Sequence, residues 1–308
     1  MNILKKSLVG VAVAAALATS AQASTVAMAD MNIYALGLFK TATPTNPFTP
    51  LDGSITISGE LRTGTAGSSY NGVDGTGIGA SSINKSGVGL EVDVKNRCAG
   101  DCAGALGLYG GNLENNITTH LNGPGTVNYA LGDMKISGTA LGTVTGLTRA
   151  NAMSAGATNE GGANATILNS GVITGNFVLG TTLNAVLGLG VDAWLATYVD
   201  SVLPASGMAS AGYGWNITIT GADIADLFYR PGELNKTRTS TGVADNFAYG
   251  FNGFLFSDSR TFTEGTRYSF TINQSSNATI SEVPEPESLA LVGLGLLGLA
   301  AARRRKAA

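Results

Sequence analysis

The chain has 308 residues, of which 13% are charged and 43 are glycine, and its formal net charge is −3. Once Lys5, Lys6 and the four cations near the end are set aside, the stretch from Ser24 to Val283 carries a net −7 with its cations scattered singly, which excludes nucleic acid, a partner that asks for a basic patch. Two cysteines and one histidine are too few for a zinc site, and no metal site or cofactor is assigned; calcium stays open as an alternative, although no Asp-x-Asp-x-Asp-Gly loop is present.

Lys5 and Lys6 precede an uncharged run from Leu8 to Ala18, and Ala21-Gln22-Ala23 has the small-x-small spacing that signal peptidase reads. Residues 1–23 are expected to be a signal peptide cleaved after Ala23, because a retained membrane helix would need a longer apolar run. The mature chain then folds outside the cytoplasm. Residues 24–282 are long enough for a substantial core and show neither a repeat of fixed period nor an internal boundary, so they are expected to form one extracellular β-rich domain.

Period-two alternation and glycine-rich breaks predict strands over Thr56–Leu61, Val88–Val94, Thr126–Leu131, Thr166–Ile173, Asn176–Val186, Trp215–Ile219, Phe247–Phe256 and Tyr268–Ile272. Extended or surface loops are expected over Ala42–Pro50, which holds three prolines, and over the glycine-rich Ala66–Gly87. Val191, Trp194, Leu195, Tyr198, Val199 and Val202 recur at helical spacing before Pro204 and predict an amphipathic helix over Val191–Leu203. A second, short helix is expected over Ala222–Tyr229, stopped by Pro231-Gly232. The fold class that follows is mainly β: an antiparallel sandwich or jelly-roll-like domain with one or two short helices.

Cys98 and Cys102, four apart with Gly100 between them, are expected to form a disulfide in an oxidising compartment. Several motifs lose their usual chemistry in context. Gly188-Leu189-Gly190-Val191-Asp192-Ala193 fits a dinucleotide fingerprint but has no βαβ unit behind it and reads as a flexible strand-to-helix connection. Ser82-Ile83-Asn84-Lys85 fits Ser-x-x-Lys without the partner motifs in order. His120 could serve as a general base, and Glu91 with Asp93, or Asp223 with Asp226, could hold a proton or a cation, although Glu91 and Asp93 opposite Val92 and Val94 read as a solvated strand face. Phe247, Tyr249, Phe251, Phe254 and Phe256 involve both faces and read as a central core strand or hairpin, with a sugar-stacking platform as the alternative. No catalytic residue is assigned.

From Val283 the chain gives a polar spacer containing Pro284, Glu285 and Pro286, then fourteen uncharged residues from Leu289 to Ala302, then Arg303, Arg304, Arg305 and Lys306. As a helix the apolar run would span ~21 Å, short of the ~30 Å hydrocarbon core, with the cations as a cytoplasmic stop. This order resembles the PEP-CTERM sorting signal of exported bacterial proteins. The resemblance covers about the last 27 residues and implies that residues 283–308 are a sorting segment with a transient transmembrane helix. It also implies processing by an exosortase near Pro284-Glu285-Pro286 and delivery to the surface or extracellular matrix of a Gram-negative-type bacterium. The function expected on this basis is non-catalytic and associated with exopolysaccharide and biofilm. The alternatives are a carbohydrate-binding module, which would display Tyr70, Trp194, Tyr213 or Trp215, and a carboxylate-based glycoside hydrolase.

Overall fold

The computed structural model describes residues 24–40, 55–115, 120–121, 123–142, 144–155, 164–200, 207–242 and 244–282. The expected signal peptide with Ala21 and Ala23, the proline-rich loop at 42–50 and the tail from Pro284 to Lys306 lie outside them. In chain order the strands are β1 (Ser24–Phe39), β2 (Ile55–Tyr70), β3 (Val73–Asp74), β4 (Ser82–Ser86), β5 (Val92–Gly100), β6 (Tyr129–Ser137), β7 (Val144–Ser154) and β8 (Asn164–Leu179). They continue with β9 (Leu183–Asp200), β10 (Gly207–Gly221), β11 (Ile224–Tyr229), β12 (Asn235–Thr241), β13 (Asp245–Phe256), β14 (Arg260–Phe262) and β15 (Arg267–Glu282). A short helix, α1 (Cys102–Leu108), follows β5.

The strands build two antiparallel sheets. The seven-stranded first sheet runs β13-β9-β1-β7-β6-β5, with β14 continuing along β9. The eight-stranded second runs β11-β10-β15-β8-β2-β3, with β12 also on β10 and β4 also on β2. Alternation dictates the layering: Ala27, Ala29, Met31 and Ile33 of β1 join Ala209, Ala211, Trp215, Ile217 and Ile219 of β10 and Phe270, Ile272 and Ile280 of β15 in one buried cluster. Close approach of the sheets depends on Gly64 of β2, where a Cβ would lie 2.5 Å from Met134 Sδ and 2.6 Å from Val92 Cγ1. One lateral edge is joined by a backbone bridge between Thr76 and Cys98. At the other, β12 and β13 meet through side chains: Arg238 pairs with Asp245 and lies over the Phe247 ring, and Lys236 lies over Tyr249.

Both expected helices are strands. Val191, Ala193, Leu195 and Val199 of β9 face the common core, while Trp194, Ala196 and Tyr198 lie against a second apolar cluster on the other side of the sheet. A strand covered on both faces carries large residues at odd and even positions, and that blurred alternation imitates a helical period. The Gly188 to Ala193 stretch lies within this strand and is not a strand-to-helix connection. Residues 224–229 form the edge strand β11, with Leu227 buried and Phe228 exposed.

The expected loop at Ala66–Gly87 is largely sheet. Ala66, Ser68 and Tyr70 continue the inward alternation of β2, and Asn71 and Gly72, at φ 50° and 77°, make the hairpin to β3. Only the ends of the Val88–Val94 and Thr126–Leu131 predictions are strand, and Gly180–Thr182 divides Asn176–Val186 between β8 and β9. The Phe247–Phe256 strand is at the sheet edge instead of its centre, and Phe254 is exposed. Among the described residues no helix is long and apolar enough to cross a membrane.

Candidate functional site

The first sheet's outer face is covered by the segment that leaves β5, and a row of charge is buried between them. Cys98 is disulfide-bonded to Cys102 with a Cα separation of 5.9 Å, and the Asp101 side chain caps α1 by accepting from Gly104 N at 2.8 Å. Beyond α1, Tyr109 packs edge-on against Tyr129 with their hydroxyl oxygens 3.0 Å apart. Pairing across the sheet sets Asp30 of β1 opposite Arg149 of β7, and Arg149 opposite Asp133 of β6.

All three of these charged side chains are buried. Arg149 lies 3.7 Å from Asp133 and 5.0 Å from the Tyr109 ring centroid, and it donates to the Leu113 carbonyl. Asn151 donates to Asp30 Oδ1 at 2.8 Å and accepts from the Tyr109 hydroxyl at 2.8 Å. Burial pushes the Asp30 carboxyl up to about 8, against the opposing pull of Arg149 and the Asn151 hydrogen bond. Burial likewise raises Asp133 to about 7 and the Tyr109 phenol to about 12.

At the end of the row Asp93, Glu114 and Asp133 each place a carboxylate oxygen within 4.8 Å of the others. Asn115 N donates to Asp133 Oδ2 at 2.6 Å, and Asn96 donates to Glu114 from both its backbone and its amide. Lys95 Nζ sits 2.6 Å from Asp93 and 3.4 Å from Glu114. Lys135 approaches Asp93 at 3.7 Å and Glu91 at 3.3 Å. Of the described residues these three acids are the ones placed to hold a metal ion.

The structure scatters most of the sequence candidates. His120 stacks on Trp194 at 4.6 Å. Asp223 accepts from the Tyr268 hydroxyl at 2.7 Å, and hydrogen bonds from Thr263 and Tyr268 hold its carboxyl below the usual range. Ser82 and Lys85 lie exposed on β4. Glu91 is exposed, but Asp93 is largely covered and belongs to the acidic cluster, which corrects the reading of a plain solvated face. Tyr70, Tyr213 and Trp215 are core residues. Asp30, Asp133, Arg149 and the buried Glu60–Arg62 pair were not singled out from sequence; the signal was a charge set inside an otherwise apolar or small-residue strand.

The second sheet's outer face is different in kind. On β15, Ser269, Thr271, Asn273, Ser275, Asn277, Thr279 and Ser281 point away from the core. Asn216, Thr218 and Thr220 continue the face on β10, Thr166, Ser170, Thr174 and Asn176 on β8, and Thr63, Thr65 and Ser69 on β2. Among the described residues between Ser269 and Ser281 and their partners on these strands, that face carries no charged side chain.

Fold and site together define an antiparallel two-sheet β protein whose last strand runs directly into a terminal segment of separate character. That segment is a PEP-CTERM protein-sorting motif, matched by the family model at residues 282–306, which include Pro284, Glu285, Pro286 and Arg303 to Lys306. The motif implies an exported protein that depends on an exosortase for surface localisation. No curated protein and no solved structure matches the chain.

Proposed function

We propose that the protein is a non-catalytic, exosortase-processed component of the cell surface or extracellular matrix, built as a β-sandwich, that adheres to exopolysaccharide through the outer face of its second sheet. The observation that carries this reading is an uncharged face on β2, β8, β10 and β15 made mostly of Ser, Thr and Asn, with Leu168 and Val172 among them on β8. Strand geometry spaces neighbouring hydroxyl and amide groups about 4.8 Å apart across the sheet and about 7 Å along each strand, which offers donors and acceptors to a hydroxyl-rich polymer. Absence of charge keeps desolvation of such a contact inexpensive. A module that stacks sugars on aromatic rings is less well supported, since Tyr70, Tyr213 and Trp215 are buried.

Co-sedimentation with the extracellular polysaccharide of the producing cells tests the proposal. Replacing Ser275 and Thr166 together by lysine should abolish binding and leave the melting temperature within a few degrees, because both side chains are exposed and the two are not cross-strand partners. Equal sedimentation of variant and parent would overturn this face as the contact, and cleavage of the polymer would overturn the non-catalytic reading.

A further inference from the structure

Asp93 on β5, Asp133 on β6 and Glu114 beyond α1 come from three parts of the chain, yet an oxygen of each lies within 4.8 Å of the others. Acidic proximity by itself is common. Here it coincides with a second observation: Asp133 is fully buried, and its Oδ1 has no hydrogen-bond partner. Asp93 Oδ1 and Asn115 Oδ1 are also buried without a partner. Buried acceptors are nearly always satisfied, and a cation among these neighbouring residues is the simplest group to satisfy them.

We propose that Asp93, Glu114, Asp133 and the Asn115 side-chain oxygen form a calcium site. The donor set is all oxygen, carboxylates with one amide, which suits a hard cation and excludes the nitrogen and sulfur preference of zinc. Ligands drawn from two strands and an irregular segment fit the variable geometry of Ca²⁺ better than the regular octahedron of Mg²⁺. Lys95 and Lys135 compete with the ion for Asp93. Lys95, at 44% exposure, can turn its ammonium into solvent as Ca²⁺ enters, while Arg149 remains beside Asp133. The bound ion would fasten Glu114 and Asn115 to the sheet and so hold the covering segment over the Asp30 and Arg149 row.

The test uses the full chain, stripped with EDTA and titrated with CaCl₂ by calorimetry. One saturable site per chain and a higher melting temperature in Ca²⁺ are expected. Asp93→Asn should weaken binding about tenfold or more, Lys95→Ala should tighten it by a similar factor, and Glu264→Gln, an exposed acid elsewhere, should leave it unchanged. Should Asp133→Asn fail to fold, the Asp93 and Lys95 variants still decide the matter. Absence of binding up to about 10 mM, beyond the range of weak extracellular calcium modules, overturns the proposal. Binding that survives Asp93→Asn, or no gain in affinity in Lys95→Ala, does so as well.

Discussion

Asp30 illustrates how one side chain can link the fold to pH. Its ordinary carboxyl value is 3.8, and burial raises it to about 8 in the folded protein. At neutral pH the folded chain therefore holds a proton there that the unfolded chain has released. The sign follows from linkage: the stability contributed by this group is complete below about pH 4, falls as the pH rises toward 8, and stays level above that. Asp30→Asn keeps a neutral group of the same shape and should remove that slope, gaining on the order of a few kcal/mol at pH 8 relative to the parent. Urea midpoints from pH 4.5 to 9, taken in EDTA, check this, and parallel curves for parent and variant would rule it out. The same reasoning explains why Asp30 escaped notice in the sequence, since a lone aspartate between Ala29 and Met31 has no motif around it and its partners stand more than a hundred residues away.

At the scale of the element, legibility depended on how many faces of a strand are covered. β15 and β10 show their alternation directly because large apolar residues such as Tyr268, Phe270, Ile272, Trp215, Ile217 and Ile219 alternate with Ser, Thr and Asn, and the sequence predicts strands within both. β1 and β9 are paired to each other at the middle of the first sheet, with the common core on one side and the α1 segment on the other. Apolar residues accordingly occupy odd and even positions alike in both, interrupted by Asp30, Asn32 and Asp192, so β1 gave no alternation to read and β9 imitated a helix. Glycines misled in the opposite direction. Gly64, Gly171 and Gly190 sit inside strands, where a Cβ would collide with Met134 or the Tyr34 ring, so they mark close packing as well as turns. Gly64→Ala should cost about 1–3 kcal/mol, since Val92 Cγ1 belongs to a stiff, fully buried side chain that cannot withdraw. Gly72→Ala has open space around it and tests backbone strain alone. Denaturant melts of the two variants separate packing from conformation, and a Gly64 variant as stable as the parent would remove Gly64 from the account of how closely the sheets approach.

For the whole molecule, the two ends of the folded domain are brought together. β1 begins at Ser24, where the expected signal peptide stops, and β15 ends at Glu282, where the matched sorting motif begins. Thr25 Oγ1 donates to Glu282 Oε1 at 2.8 Å, and both residues are buried, so the start of the chain's first strand is fastened to the end of its last. The matched motif begins at the last residue of β15, so the sorting segment adjoins the sheet in sequence. Changes on the two sides of residue 282 should therefore act differently. Replacing Pro284, Glu285 and Pro286 by alanine should block exosortase processing and leave the melting temperature of the domain unchanged. Thr25→Val, which leaves residues 282–306 untouched, should lower stability by about 1–3 kcal/mol through loss of a buried hydrogen bond. Following a C-terminal epitope tag beside thermal melts of each variant checks the division. Tag removal that continues in the alanine variant would show that processing does not read the Pro-Glu-Pro, and a large fall in its melting temperature would show that the tail and the β-domain are one cooperative unit.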